Sequence, residues 1–199
     1  MILTVLDTET TGLDPDIHEI IQIAAISYII DKSGERYILK KYEKKIDPKQ
    51  LHTASEKALE INGFSISDWE GSSEPEEVMN DIKEIISKSD IMLGQNLIFD
   101  LRFINEICHR NNIEPPDYPP YIDTKSIADR LVKAHWLQRS GMDYLVEHYQ
   151  IKVKGRAHTA LVDCERTMLV FDELLRDVNQ EYDVYTFQSP YKAKRRKKC

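Results

Sequence analysis

Acidic side chains stand at three points of the sequence where the pattern predicts that a strand or helix begins or ends. They are Asp7, Glu9, Asp100 and Asp163. Because side chains alternate along a strand, Asp7 and Glu9 project from one face, where two carboxylates repel each other unless a cation lies between them. Ligation by oxygen alone suits Mg²⁺ or Mn²⁺ rather than zinc. One such acid taken singly is typical of an ordinary exposed strand end, whereas the four together predict a divalent-metal site.

His158 precedes Asp163 by five residues, and this spacing restricts how the two side chains can meet. Five helical steps of about 100° leave side chains about 140° apart, so His158 must lie before the helix and Asp163 in its first turns. Thr159 is then the expected N-cap. A neutral imidazole can accept a proton from water and act as a general base. The alternative interpretation is a surface histidine beside a turn.

Hydrophobic patterning predicts the strands and helices that must position these residues. Short apolar or alternating segments predict strands at residues 1–6, 20–30, 36–46, 91–93 and 121–122. Periodic apolar positions predict helices at residues 53–60, 75–86, 97–107 (capped by Asn96), 124–132, 142–149 and 160–177. The first three strands follow one another through turns, as in an antiparallel meander, and the later strands alternate with helices. We therefore predict an α/β fold in which a mixed sheet is flanked by helices.

Composition limits the class of protein. The sequence has 199 residues, 41 % of them hydrophobic, which suits one domain with a sizeable core and excludes disordered and collagen-like classes. The longest near-apolar run, residues 20–30, is too short to cross a membrane, and no basic residue precedes Asp7 as a secretory signal would require. Three cysteines without a C-x-x-C pair indicate a reducing environment, so we expect a cytoplasmic protein with no membrane partner.

Charge is distributed unevenly along the chain. The net charge is −7, yet the last eight residues hold six bases and no acid, so the remaining chain carries 21 bases against 34 acids. We assign residues 1–185 to the folded domain and residues 186–199 to a basic, flexible tail, for which a nucleic-acid-binding arm and an inert terminus both remain open. An acidic body disfavours tight nonspecific binding to duplex DNA, although bound metal ions can reverse the local field.

The acidic segments together resemble the three motifs of the DEDDh (DnaQ-like) 3′→5′ exonucleases. Residues 7–13 match D-x-E-T-T-G-L, residues 96–100 match N-x-x-F-D, and residues 158–163 match H-x-A-x-x-D. The motifs occur in the family's order, and the resemblance covers roughly residues 1–177. It implies a ribonuclease H-like fold with a five-stranded mixed sheet and helices on both faces, in agreement with the strand count. Gln95 stands where many members have histidine, which bears on substrate details rather than on catalysis.

The resemblance also implies a role for each motif residue in the hydrolysis of a phosphodiester by two metal ions. Asp7, Glu9 and Asp163 would hold the metal ion that activates water. Asp7 and Asp100 would position the second, and His158 would be the general base. The expected cofactors are therefore two Mg²⁺ or Mn²⁺ ions.

Residues beside the motifs are expected to contact the terminal nucleotide. Gly12 permits a tight turn, and the resemblance places Leu13 beside the 3′ base. Phe99 would stack on a base or belong to the core. The expected set is Thr10, Thr11, Gly12, Leu13, Ile61, Asn62, Asn96 and Phe99.

The sequence therefore predicts a metal-dependent 3′→5′ exonuclease that releases nucleoside 5′-monophosphates from single-stranded ends, with DNA favoured over RNA. One alternative is a catalytically silent adaptor of nuclease fold, tethered to a polymerase, although an adaptor has no need of four acids and a histidine at these positions. Another is a phosphatase for small esters, against which the segment around Leu13 argues. Expected partners are 3′ ends of DNA or RNA, a second copy of the chain, and a polymerase or other nucleic-acid-processing complex.

Overall fold

A computed structural model describes residues 1–31 and 33–181 of the chain. The basic tail expected at residues 186–199 lies outside the described residues. Two 3₁₀ turns, Leu51–Thr53 and Ser67–Trp69, supplement the regular elements. In chain order these elements are β1 (Ile2–Thr10), β2 (Ile20–Ile30), β3 (Arg36–Lys45), α1 (Glu56–Asn62), α2 (Pro75–Ser87), β4 (Ile91–Gly94), α3 (Leu97–Arg110), β5 (Tyr121–Asp123), α4 (Thr124–Lys133), α5 (Met142–His148) and α6 (Ala160–Glu181).

The five strands form one mixed sheet in the order β3-β2-β1-β4-β5. Strands β1, β2 and β3 pair antiparallel as a meander, whereas β4 lies parallel to β1 and β5 lies parallel to β4. Helices cover both faces. This arrangement confirms the predicted five-stranded mixed sheet flanked by helices.

Strand β1 is longer than the sequence pattern predicts. The apolar run predicts an end at Leu6, but the strand continues through the polar residues to Thr10, because β2 pairs with it along its whole length. The partner on the other side is short: β4 pairs with residues 3–5 of β1 and ends at Gly94. The second half of β1 therefore has one edge without a neighbouring strand, and this open edge is where the site forms.

Two apolar layers hold the helices against the sheet. On one face Leu3 and Val5 of β1 pack with buried residues of α4, α5 and α6. On the other face Leu6 packs with buried residues of α2 and α3. The alternation of side chains along β1 thus assigns its odd-numbered residues to the α6 layer and its even-numbered residues to the α3 layer. Among the described residues, no helix combines the length and the hydropathy that a membrane span requires.

Helix boundaries differ from the predicted ones in places. Helix α1 begins at Glu56 rather than at residue 53, and α6 extends to Glu181 rather than ending at residue 177. Asn96 is the N-cap residue of α3, as predicted, although its side chain does not make the cap. It adopts the left-handed conformation (φ 63°) and donates its own N–H to Oδ1 of Asp123 at 2.8 Å.

Candidate active site

Strand β1 presents two carboxylates at the open end of the sheet. Asp7 and Glu9 follow Leu3 and Val5 on the face that α6 covers, so the same alternation that builds the core also carries the acids toward α6. Glu9 is only 7 % exposed, and Asp7 is partly exposed to a cleft. The strand therefore holds two acids close together in a largely buried position.

Asp100 reaches this place from α3, which packs on the opposite face of the sheet. Because β4 ends at Gly94, the N–H of Thr8 has no strand partner on that side, and it donates to Oδ1 of Asp100 at 2.9 Å. The hydroxyl of Thr8 donates to the same oxygen at 2.6 Å. Asp100 is 4 % exposed and lies in the first turn of α3. The two hydrogen bonds thus fix the third carboxylate against the end of β1.

His158 and Asp163 enter from the start of α6. His158 lies before the helix and Asp163 in its first turn, as their spacing requires. The N–H of His158 donates to Oδ2 of Asp163 at 2.9 Å, and the N–H of Asp163 donates to the carbonyl of Thr159 at 3.0 Å. The backbone of His158 is left-handed, with φ 60°. This turn lets a residue outside the helix and a residue inside it face the same point.

The structure brings the predicted acids and the histidine together. Glu9, His158 and Asp163 each offer one ligand atom, and these three atoms lie within 4.8 Å of one another. Asp7, His158 and Asp163 line one cleft of about 450 Å³. In the described part of the chain, Asp7 and Asp100 fall outside the close group of three. Asp100 is near enough, however, for its negative charge to raise the pKa of Asp7 and that of Glu9.

Burial and mutual repulsion shift the acid equilibria of this cluster. Burial raises the pKa of Glu9 to about 8, and the charges of Asp163 and Asp100 add to the effect. Burial raises the pKa of Asp100 to about 7 in spite of the opposing hydrogen bonds from Thr8. The pKa of Asp7 is also raised, first by burial and then by the three neighbouring carboxylates. The cluster thus contains more negative charge than the surrounding protein neutralises.

Two arginines partly balance this charge. Arg166, one turn along α6, donates to Oδ1 of Asp163 at 3.2 Å, and its charge opposes the burial that raises the pKa of that carboxyl. Arg156 opposes the raised pKa of Glu9. Its guanidinium also donates to the carbonyls of Glu60 and Ile61 at the end of α1. The segment before His158 is therefore tied to α1.

The donor set fits divalent cations. Three potential ligands converge, and two further carboxylates lie near enough to interact with them by charge. Positive charge at this point would relieve both the desolvation and the repulsion that raise the pKa values. Carboxylate oxygens predominate, as Mg²⁺ and Mn²⁺ prefer. Glu9, His158 and Asp163 are the closest potential ligands, with Asp7 and Asp100 beside them.

Stability in the absence of metal is expected to fall as the pH rises. A carboxyl whose pKa is raised by folding binds more protons in the folded state than in the unfolded state. The free energy of unfolding therefore decreases as the pH rises from the unfolded pKa, near 4, to the folded pKa, which is about 7 for Asp100 and about 8 for Glu9. Thermal melts in EDTA should show a Tm several degrees lower at pH 8 than at pH 5, because each kcal/mol of lost stability lowers the Tm of a domain of this size by about 2–4 °C.

Adding Mg²⁺ or Mn²⁺ should raise the Tm more at pH 8 than at pH 5, where the ion must first displace protons. In EDTA, Glu9→Gln is the matched variant, because the amide keeps the shape of the side chain and removes one titrating group. Its pH dependence should be shallower than that of the parent. A parent Tm in EDTA that stays flat or rises across this window would contradict the prediction.

The segment after β1 forms a turn, and its contact with a nucleotide stays a prediction. The hydroxyl of Thr10 donates to the carbonyl of Gly12 at 2.6 Å, and Thr11 is fully buried, with its hydroxyl accepting from the N–H of Glu19. Both threonine side chains thus shape the turn from within. Leu13, by contrast, is 83 % exposed and is the side chain that this turn presents to solvent.

The other predicted nucleotide contacts lie around the same end of the sheet. Asn62 donates from Nδ2 to the carbonyl of Thr10 at 2.8 Å, so it anchors the turn, and its neighbour Ile61 is 38 % exposed. Asn96 is exposed at the start of α3. The ring of Phe99 is partly buried against Phe103, with centroids 4.8 Å apart. Contact of these residues with a nucleotide stays a prediction. Phe99 also belongs to the edge of the core.

Three residues of this region were missed by the sequence reasoning. Thr8 points to the opposite face from Asp7 and Glu9, so alternation alone gave no reason to include it. Arg166 had a signal, because it stands three residues after Asp163 on a helix and can pair with it. Arg139 lines the cleft from the segment between α4 and α5, and no local pattern marks it.

The mixed sheet, with a carboxylate cluster at the end of its central strand, has the arrangement that the three motifs predict, and comparison with known proteins identifies the class as an exonuclease. A family model described as an exonuclease, of the RNase T type, matches residues 4–171. A DNA polymerase III of the PolC type from Thermotoga maritima is 34 % identical over 168 residues, which are 84 % of this chain and 11 % of that protein. The chain belongs to this exonuclease family, which confirms the DEDDh (DnaQ-like) assignment made from the three motifs.

Solved structures share the fold at low identity. The nuclease domain of 3′hExo, a DEDDh family member bound to rAMP, matches with a TM-score of 0.72 and 16 % identity, covering 88 % of this chain and 92 % of that one. E. coli Exonuclease I in complex with a dT13 oligonucleotide also gives 0.72, at 18 % identity, covering 90 % of this chain and 41 % of that one. The chain spans 11–12 % of the length of the PolC-type relatives that it matches.

Proposed function

We propose that this chain is a divalent-metal-dependent 3′→5′ exonuclease that removes nucleoside 5′-monophosphates from single-stranded ends, with DNA as the preferred substrate. The observation that carries the proposal is that acids from three motifs, far apart in sequence, lie near one another beside a cleft that also contains a histidine. Membership of the exonuclease family supports it. The PolC-type DNA polymerase relatives support DNA over RNA.

Each residue of the cluster has a task in this reaction. Hydrolysis forms a bond between a water oxygen and the phosphorus and breaks the bond to the 3′ oxygen of the preceding nucleotide. The imidazole of His158 accepts the proton of the attacking water. Asp7 and Glu9 on β1, with Asp163 on α6, would hold one cation, and Asp7 with Asp100 a second. Thr8 keeps Asp100 in place through two hydrogen bonds.

Divalent cations bound to these carboxylates would stabilise the negative charge on the attacking and leaving oxygens. Arg156 and Arg166, which act directly on the carboxylates, are already engaged with carbonyls or with Asp163. Because the carboxylates would otherwise repel a phosphate, turnover is expected to depend on added metal.

The experiment is a product ladder from single-stranded DNA and RNA labelled at the 5′ end, incubated with Mg²⁺, with Mn²⁺ or with EDTA. We expect fragments that shorten stepwise from the 3′ end, nucleoside 5′-monophosphate as the released product, and no cleavage in EDTA. A circular single strand is the matched control, since it has no 3′ end and should stay intact. Efficient cutting of the circle, or cleavage in EDTA, would refute the proposal.

Association with a polymerase remains a prediction. The PolC-type relatives support it, because in them the matched segment is a small part of a longer polymerase chain. Homodimer formation likewise remains a prediction. Co-purification with a polymerase subunit and light scattering of the isolated protein would test the two separately.

A further inference from the structure

The cleft beside the carboxylates contains an arginine to which the proposed mechanism gives no task. Arg139 lies in the segment between α4 and α5, is exposed, and lines the same cleft as Asp7, His158 and Asp163. No acid within ion-pair distance of Arg139 is present in the part of the chain that the structure describes. Its guanidinium is therefore available to an anion that enters the cleft.

The second arginine of the cleft differs in this respect. Arg166 is largely buried and is held between Asp163 at 3.2 Å and Asp143 at 3.6 Å. Releasing it would leave the largely buried carboxylate of Asp163 without its partner, at a cost in stability. Binding an anion imposes no such cost on Arg139, because its charge has no ion-pair partner to lose among the described residues. Of these two arginines, Arg139 is the one suited to bind substrate.

The segment that carries Arg139 is pinned by Gln95, the residue that departs from the family's usual histidine. Gln95 donates from Nε2 to the carbonyl of Ser140 at 2.9 Å and accepts from the hydroxyl of Thr124 at 2.5 Å. Thr124 is fully buried at the start of α4 and also bonds to the carbonyl of Gly94. Both ends of the Gln95 amide are thus engaged, and they connect the end of β4 to the residue next to Arg139.

We propose that Arg139 binds a phosphate of the nucleic-acid strand in the cleft and that Gln95 is a positioning residue that holds Arg139 there through Ser140. A planar guanidinium can bond two phosphate oxygens at once, which suits this task better than an ammonium group. The inference rests on the proposed exonuclease function and adds a substrate contact to it.

Kinetics of single-strand degradation test the role of Arg139. Arg139→Ala should raise KM about tenfold, since one hydrogen-bonded charge contact is lost, and leave kcat within about threefold. Arg139→Lys should recover part of the loss. Arg102→Ala is the matched control, because Arg102 is an exposed arginine on α3 that does not line the cleft, and its KM should equal that of the parent.

Binding provides a measurement that does not depend on turnover. In a His158→Asn background, the anisotropy of a labelled oligothymidylate gives Kd at several salt concentrations. Adding Arg139→Ala should weaken binding and reduce the slope of log Kd against log salt by about 0.7, as expected for one lost phosphate contact on a single strand. Adding Arg102→Ala should change neither the slope nor Kd.

Gln95→Leu tests the positioning role. In the parent it should raise KM, whereas in the Arg139→Ala background it should have no further effect, because a residue that acts through Arg139 has nothing left to position. Equal losses in both backgrounds would overturn the role of Gln95. A parent that degrades single strands while Arg139→Ala matches Arg102→Ala would overturn the substrate contact. A parent that degrades no single strand would instead refute the proposed function.

Discussion

Asp7→Asn is expected to lower turnover by about 10³-fold while leaving the fold intact. Asparagine keeps the shape of the side chain but removes the negative charge that both proposed cations share. Losing several kcal/mol of charge stabilisation in the transition state, at about 1.4 kcal/mol per factor of ten, gives a loss of this size. Initial rates on single-stranded DNA with saturating Mg²⁺ or Mn²⁺ measure it.

The same variant should be at least as stable as the parent when metal is absent. Burial and three neighbouring carboxylates raise the pKa of Asp7, which means that its ionised form costs folding free energy. Thermal melts in EDTA at pH 8 should therefore give an equal or higher Tm for Asp7→Asn. This result would separate loss of chemistry from loss of structure.

Asp117→Asn is a suitable control, since Asp117 is exposed in the segment before β5 and lies outside the cleft. It makes the same change of charge and should keep parental turnover. Turnover of Asp7→Asn within a few fold of the parent would show that the carboxylate is not part of the reaction. A strongly lowered Tm in EDTA would contradict the assignment of repulsion within the cluster.

Removing the imidazole of His158 is expected to cost about 10²–10⁴-fold in turnover, the range typical of a general base. His158→Asn is the better variant, because asparagine tolerates the left-handed backbone that this residue adopts (φ 60°), whereas alanine would be strained there. The N–H that donates to Asp163 remains in the variant. Calorimetric titration with Mn²⁺ should then show metal binding close to that of the parent.

His135→Asn provides a closely matched control. His135 is also an exposed histidine with a left-handed backbone (φ 64°), and it does not line the cleft. Its substitution should leave turnover unchanged. If His158→Asn loses metal binding together with activity, His158 is a ligand, as its distance from Glu9 and Asp163 also allows. Near-parental turnover of His158→Asn would remove the histidine from the mechanism.

The carboxylate cluster is held in place by contacts from several elements of the fold. Four acids that repel one another are brought together by β2 pairing along β1, by the bonds from Thr8 to Asp100, and by the turn before α6. These contacts hold the carboxylates together in spite of the burial and repulsion that raise their pKa values. Bound divalent cations would relieve that repulsion, and the energy released would contribute to metal affinity.

The sequence by itself determined the class of fold and the identity of the acidic cluster. Period-two and helical patterns are local, so they predicted five strands, the meander and the principal helices. Motif spacing is also local, which is why Asp7 could be paired with Glu9, and His158 with Asp163, from their positions along the chain alone. The order of the three motifs then indicated the exonuclease family.

Tertiary structure decided how far β1 extends and what surrounds the cluster. The polar residues after Leu6 belong to the strand because β2, the next strand along the chain, supplies their hydrogen bonds. Thr8 holds Asp100 across 92 positions, and Gln95 reaches Ser140 across 45. Contacts of this kind leave no periodic trace in a single sequence, because they depend on where β4 stops and where the segment before α5 comes to lie. For the same reason, the importance of Arg139 becomes visible only from its position in the cleft. That cleft forms when α4, α5 and α6 pack around the end of the sheet.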